Sequence, residues 1–124
     1  MRLTYTIQPE FNDEDFIGTI TLTYTNGFYE NEISLCDHSY VFIWNDLISA
    51  IKTNNKFTVK DGENSSSTIE VKDGKVCIIA NVSGSGGDIT TTFKVTQEVF
   101  LPIAENIRNE LTLLINNHNS QYNI

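Results

Sequence analysis

The stretch FIGTITLTYTNGFYENEISLC, residues 16–36, decides how the rest of the chain is read. Asn26-Gly27 is a preferred pair for a two-residue hairpin turn, and both flanks alternate apolar with polar side chains. A turn at those two residues sets Thr25 opposite Phe28, Tyr24 opposite Tyr29, Ile20 opposite Ile33 and Gly18 opposite Leu35. The last three pairs share one side, while Thr23 with Glu30, Thr21 with Glu32 and Thr19 with Ser34 share the other. Register and amphipathicity agree, which is the condition for a specified hairpin.

Outward from this hairpin, residues 2–8 alternate Leu3, Tyr5 and Ile7 with polar residues and read as a strand ended by Pro9. The polar run Glu10 to Asp15 reads as a loop. After the hairpin, Tyr40, Ile43, Trp44, Leu47, Ile48 and Ile51 form one helical stripe, with Asp37 or Ser39 as its cap and Asn54-Asn55 as its stop. The stripe covers the apolar side of the hairpin, since neither element can bury itself alone. Lys56–Lys60 reads as a short strand and Asp61–Ser67 as a polar loop. Asp73-Gly74 predicts a second tight hairpin, pairing Ile69 with Ile78, Val71 with Val76, Glu70 with Cys77 and Thr68 with Ile79. Residues 88–96 alternate as a further strand. Ile103, Ile107, Leu111, Leu114 and Ile115 then fall at helical spacing, and Pro102, suited to a first turn, puts the start near Leu101. Residues 116–124 read as a frayed tail. The expectation is one α+β domain over residues 1–124: an antiparallel sheet of about six strands, in the order β-β-β-α-β-β-β-α, with two helices packed on it.

Composition narrows the function. At 14.0 kDa and 40% hydrophobic residues the chain has material for one core. Sixteen acids against eight bases give −8, which speaks against nucleic acid or anionic lipid as a direct partner. No apolar run approaches the roughly 20 residues of a membrane span, and MRLTYTIQPEF has no apolar core of a secretory signal. The expected location is therefore the cytoplasm, with Cys36 and Cys77 reduced. Charge is uneven: Leu3 to Ile51 contains eight acids and no Lys or Arg, whereas Lys52 onward has eight acids and seven bases. An acidic face of this kind either keeps the protein soluble or steers a basic protein partner.

The chemistry-bearing residues give no catalytic constellation. His38 and His118 are isolated, no paired metal-ligand motif such as C-x-x-C or H-x-x-x-H occurs, and no metal or other cofactor is expected. Cys36 with His38 would need the strand to continue into the first helix. The loop SGSGGD, residues 83–88, lacks the Lys of a phosphate loop and carries Asp88 instead, so it reads as a hairpin connection. Glu30 and Glu32 alternate on the exposed hairpin face about 7 Å apart, with nothing apolar around them to raise a pKa. The expectation is a non-enzyme that binds another protein. Its contact residues are Asp13, Glu14 and Asp15 on the acidic loop, Glu30 and Glu32 on the hairpin, and the apolar Ile17 and Phe28. If both hairpins share one sheet, Ile17, Phe28, Cys36, Cys77 and Ile79 form an outer apolar patch, covered by the partner, by the second helix or by a second copy in a homodimer.

A Thr-rich hairpin, the amphipathic helix WNDLISAI (residues 44–51), a second hairpin and a closing helix resemble small bacterial immunity proteins of polymorphic toxin and contact-dependent inhibition systems. The resemblance is one of architecture across most of the chain and transfers no functional residue. It implies a cytoplasmic inhibitor of a toxin domain, often a basic nuclease. The competing expectation is a phage or mobile-element accessory protein, acting as a self-associating adaptor or counter-defence factor.

Overall fold

The computed structural model describes residues 2–13, 15–35, 41–60, 65–84 and 86–122. It is an α+β fold in which two antiparallel sheets share one core with two helices. The first sheet has the order β1(Arg2–Gln8), β4(Thr19–Asn26), β5(Tyr29–Leu35). The second runs β6(Phe57–Lys60), β7(Ser65–Lys72), β8(Lys75–Gly84), β9(Gly87–Thr96). The helices are α1(Val41–Lys52) and α2(Gln97–Tyr122). The single sheet expected from the sequence is thus divided, and the four strands read after the first helix all form, one more than the order β-β-β-α-β-β-β-α counts. Both hairpins keep their apolar sides inward, but each inner face joins the core from its own sheet: Ile20, Leu22 and Ile33 from one, Ile69, Val76, Ile78, Phe93 and Val95 from the other. Tyr24 and Phe93 stack at 5.1 Å and tie the two sheets together.

The two hairpins differ in how their turns behave. At Asp73-Gly74 both residues take positive φ, +53° and +77°, the left-handed pair a type I′ turn requires. The pairing is as expected, with Lys72 opposite Lys75, Ile69 opposite Ile78 and Glu70 opposite Cys77. The first hairpin instead turns at Gly27-Phe28. Asn26 pairs with Tyr29, Leu22 with Ile33 and Ile20 with Leu35. Only Gly27 has positive φ, +63°, matching a type II′ turn with glycine first. The register therefore lies two residues from the expected one. A two-residue shift leaves every side chain on its face, so the hydrophobic pattern could not choose between the registers.

α1 forms where its stripe predicts, with Trp44, Leu47, Ile48 and Ile51 buried. Its end is a Schellman motif. Asn54 adopts φ +58° and donates to the Ile51 carbonyl at 3.1 Å, while the Asn55 amide donates to the Ala50 carbonyl at 2.7 Å. Its expected caps, Asp37 and Ser39, lie outside the described residues, as do Cys36, His38 and Tyr40.

α2 corrects two expectations. It begins at Gln97, four residues before Leu101, so Pro102 lies inside the helix and leaves the Glu98 carbonyl without its usual donor. Burial explains the earlier start: Phe100, Ala104, Ile107 and Leu111 form a fully buried stripe, and Phe100 joins it only from within the helix. The helix also continues to Tyr122 rather than fraying after Ile115. At 26 residues it spans about 39 Å, enough to carry its far end past the core. The segment read as a loop, Glu10 to Asp15, holds a small hairpin of β2(Phe11–Asn12) and β3(Asp15–Phe16). Of the loop expected over Asp61–Ser67, residues Ser65–Ser67 belong to β7, and Ser67 is buried.

Candidate partner-binding face

The outward side of the first sheet is assembled from alternation alone. Arg2, Thr4, Thr6 and Gln8 on β1 lie beside Thr25, Thr23, Thr21 and Thr19 on β4, and Thr25 and Thr23 lie beside Glu30 and Glu32 on β5. The result is a floor of half-exposed threonines bounded by two exposed glutamates. β4 occupies the middle of this sheet, and β5 is at its edge. Such an edge presents backbone N–H and C=O groups that a neighbouring strand would otherwise use. Phe28, fully exposed at the turn, stands at the tip of the same hairpin.

The acidic loop is built separately. Phe16 is buried and meets Phe11 edge to face at 5.2 Å, and Phe11 stacks on the His118 ring at 3.7 Å. His118 Nε2 also hydrogen-bonds the Asp13 carbonyl oxygen, which requires a proton on Nε2. Asp13 itself takes φ +55° in the turn. The Ile17 amide donates to the Glu10 carbonyl at 2.8 Å and closes the hairpin base. Gly18 follows because nothing larger fits. A Cβ there would overlap the Gln8 carbonyl oxygen and stand 2.6 Å from Phe16 Cζ. His118, read from the sequence as an isolated tail residue, is thus the clasp of the acidic hairpin. Only the 3.6-residue spacing continuing from Leu111 through Leu114 and Ile115 to His118 pointed to it.

The expected contact residues consequently form two groups. Asp13, Asp15 and Ile17 lie by the Gln8–Thr19 end of the sheet, whereas Phe28, Glu30 and Glu32 lie toward its Arg2–Thr25 end. Thr19 and Thr25 are six strand positions apart, about 20 Å. Glu14 lies outside the described residues, and the side chain of Asp15 is not among those described. The expected outer apolar patch is divided: Ile17 and Phe28 flank the first sheet at opposite ends, Cys77 and Ile79 lie on β8 of the second sheet, and Cys36 lies outside the described residues. Ile17 is 49% exposed, but Cys77 is only 3% exposed and Ile79 is half-buried. Cys77 sits on an inner strand between Glu70 and Lys94, whose longer side chains flank so small a residue on the same side.

No family model and no curated protein matches this chain.

Behind the face, on the core side of β1, lies Tyr5. The Tyr5 hydroxyl is held above its ordinary pKa of 10.0, first by burial and then by the charge of Glu110 and a hydrogen bond to it. That bond ties β1 to α2 on the core side. Among the described residues no group of three or more His, Cys, Asp or Glu side chains converges as a metal site, and no helix is long and apolar enough to cross a membrane.

Proposed function

We propose that the chain is a non-catalytic protein-binding module, an immunity protein that neutralises a basic toxin domain in the cytoplasm. The observation that carries this reading is β5, the edge strand of the first sheet among the described residues, where exposed Glu30 and Glu32 lie beside threonines and a fully exposed Phe28 stands at the hairpin tip. An aromatic anchor next to acids suits a basic surface, since buried aromatics supply binding energy while the charges speed encounter and select the partner. The acidic hairpin at the other end of the sheet offers a second contact. Engagement at both ends would span about 20 Å, a reach consistent with a domain-sized partner.

The test joins growth rescue to titration. Neighbouring reading frames are induced one by one in a test bacterium, with and without this protein. Rescue from one toxic neighbour, and not from unrelated toxins, identifies the partner. With that partner, the double variant Glu30→Lys, Glu32→Lys should bind about tenfold more weakly at low salt, and the difference should shrink at 0.5 M salt. Equal affinity of variant and wild type at both salt concentrations would remove the acidic edge from the mechanism. Absence of rescue by any neighbour would remove the immunity reading.

A further inference from the structure

β9 closes the second sheet, and among the described residues it pairs with β8 alone. It is ten residues long and contains no proline, and an edge of that kind is a template for another strand. The ladder fixes which groups are open. Gly84 faces Gly87 across a two-residue turn, so by antiparallel alternation the odd-numbered residues of β9 exchange their hydrogen bonds with β8. The even-numbered ones, Asp88, Thr90, Thr92 and Lys94, turn N–H and C=O to the free side. Side chains divide by the same parity. Phe93 and Val95 point into the core, whereas Ile89, on the same side of the strand, lies beyond it and is 67% exposed. The side chains of Asp88, Thr90, Thr92 and Lys94 stand on the opposite side and are exposed.

We propose that two copies of the chain pair antiparallel along β9, about a two-fold axis at Thr91, and join their four-stranded sheets into one. The edge is complementary to itself. Its charges are Asp88 and Lys94, placed symmetrically about Thr91, and neither forms an ion pair with a described residue. In the dimer each Asp88 lies opposite the partner's Lys94, and Thr90 lies opposite the partner's Thr92. All four residues carry outward-turned backbone groups, so hydrogen bonding and charge select the same register. A shift of two residues would keep the hydrogen bonds but leave both charges unmatched. On the inner side Ile89 lies opposite the partner's Phe93, which removes its apolar side chain from water. β9 is neutral within a chain of net charge −8, so repulsion between copies is least at this edge. An open depression beside Thr92, Phe93 and Lys94 gives access to it, and the end of the partner that approaches there carries Gly84, Gly86 and Gly87. The paired stretch, Asp88 to Lys94, is short, so the dimer is weak and reversible. This pairing is separate from the immunity reading, which uses β5 and the first sheet.

The experiment uses the full chain alone, with no toxin, so this proposal and the immunity reading can fail separately. Sedimentation velocity and amide-resolved hydrogen exchange are measured at about 20 μM and about 1 mM protein. The expected result is a monomer–dimer equilibrium. Exchange at the Thr90, Thr92 and Lys94 amides should slow at least about fivefold at the higher concentration. The Thr91 and Phe93 amides, already bonded to β8, should change less. Asp88→Lys and Lys94→Asp, both at exposed positions, should each keep the folded spectrum and weaken the dimer at least about tenfold, because each sets like charges opposite one another. Mixed one to one, the two variants should dimerise again, since each copy supplies the charge the other lacks. A wild type that is monomeric at about 1 mM, a dimer whose even-numbered β9 amides gain no protection, or a dimer undiminished by either charge reversal would each overturn the proposal. Failure of the mixed variants to dimerise would overturn the pairing of Asp88 with Lys94 and the register that rests on it.

Discussion

Replacing Gly18 by alanine tests the junction between the acidic hairpin and the first sheet. The added Cβ would overlap the Gln8 carbonyl oxygen, lie 2.6 Å from Phe16 Cζ and lie 3.0 Å from the Glu10 nitrogen. Two of those three neighbours are backbone, and Gln8 is paired with Thr19 in the ladder, so they cannot swing aside as a side-chain end could. Overpacking costs about 1–3 kcal/mol, and a backbone obstacle belongs at the upper end of that range. Against it stands the gain of about 0.4–1 kcal/mol from restricting the unfolded chain. The net expectation is a loss of about 2 kcal/mol, or a melting temperature lower by roughly 6–10 °C for a domain of this size. Gly84→Ala is the control: Gly84 has no positive φ, and its nearest contact would be the Gly87 carbonyl at 4.0 Å. That variant should melt at or slightly above wild type. Both are read by circular dichroism on heating and in urea. If Gly18→Ala melts with or above wild type, the close approach assigned to Gly18 is wrong. Displacing Phe16 should also loosen its edge contact with Phe11, so the same variant should speed amide exchange in β2 and β3.

Three further outcomes follow from the same structure. Pro102→Ala restores a donor for the Glu98 carbonyl inside α2 and should stabilise the protein by about 1 kcal/mol net of the lost unfolded-state restriction. A lower urea midpoint would contradict it. His118→Ala removes the stack on Phe11 and the bond to the Asp13 carbonyl. Hydrogen exchange at the Ile17 amide should accelerate while global stability drops by about 1 kcal/mol. Unchanged protection at Ile17 would show that the hairpin does not depend on this clasp. Tyr5→Phe removes the bond to Glu110 and should cost about 1 kcal/mol at pH 8. Because the folded pKa of Tyr5 lies above 10.0, its contribution is fully present below pH 10.0 and is lost as pH rises through the folded value. The stability gap between wild type and Tyr5→Phe should therefore narrow above pH 10. A gap that widens there would reverse the sign assigned to this pair.

Local chemistry was legible wherever one signal sufficed. Asp73-Gly74 determined turn type and register together, since both residues tolerate the left-handed backbone. The Trp44 to Ile51 stripe located α1 and its buried face. Asn26-Gly27 misled, because Gly27 serves equally as the second residue of one turn or the first of another, and both registers bury the same side chains. Pro102 misled for a related reason. Its local cost argues for a helix start, while the burial of Phe100 and Ala104, seen only when the core is assembled, outweighs that cost. The acidic hairpin was hidden because two-residue strands carry no periodicity. Its stability comes from Phe16 and from His118, a residue 105 positions along the chain from Asp13.

By itself the sequence determined the α+β class, the inward and outward side of each long strand, and the acid-rich character of the hairpin face. These follow from side-chain period and charge, which are properties of neighbouring residues. Tertiary structure alone decided that the strands divide into two sheets, that α2 runs through Pro102 to reach the Phe11 ring, and that the expected contact residues lie at opposite ends of β4. Such placements depend on how apolar faces from distant segments fill a common core, a condition that no local window of residues expresses.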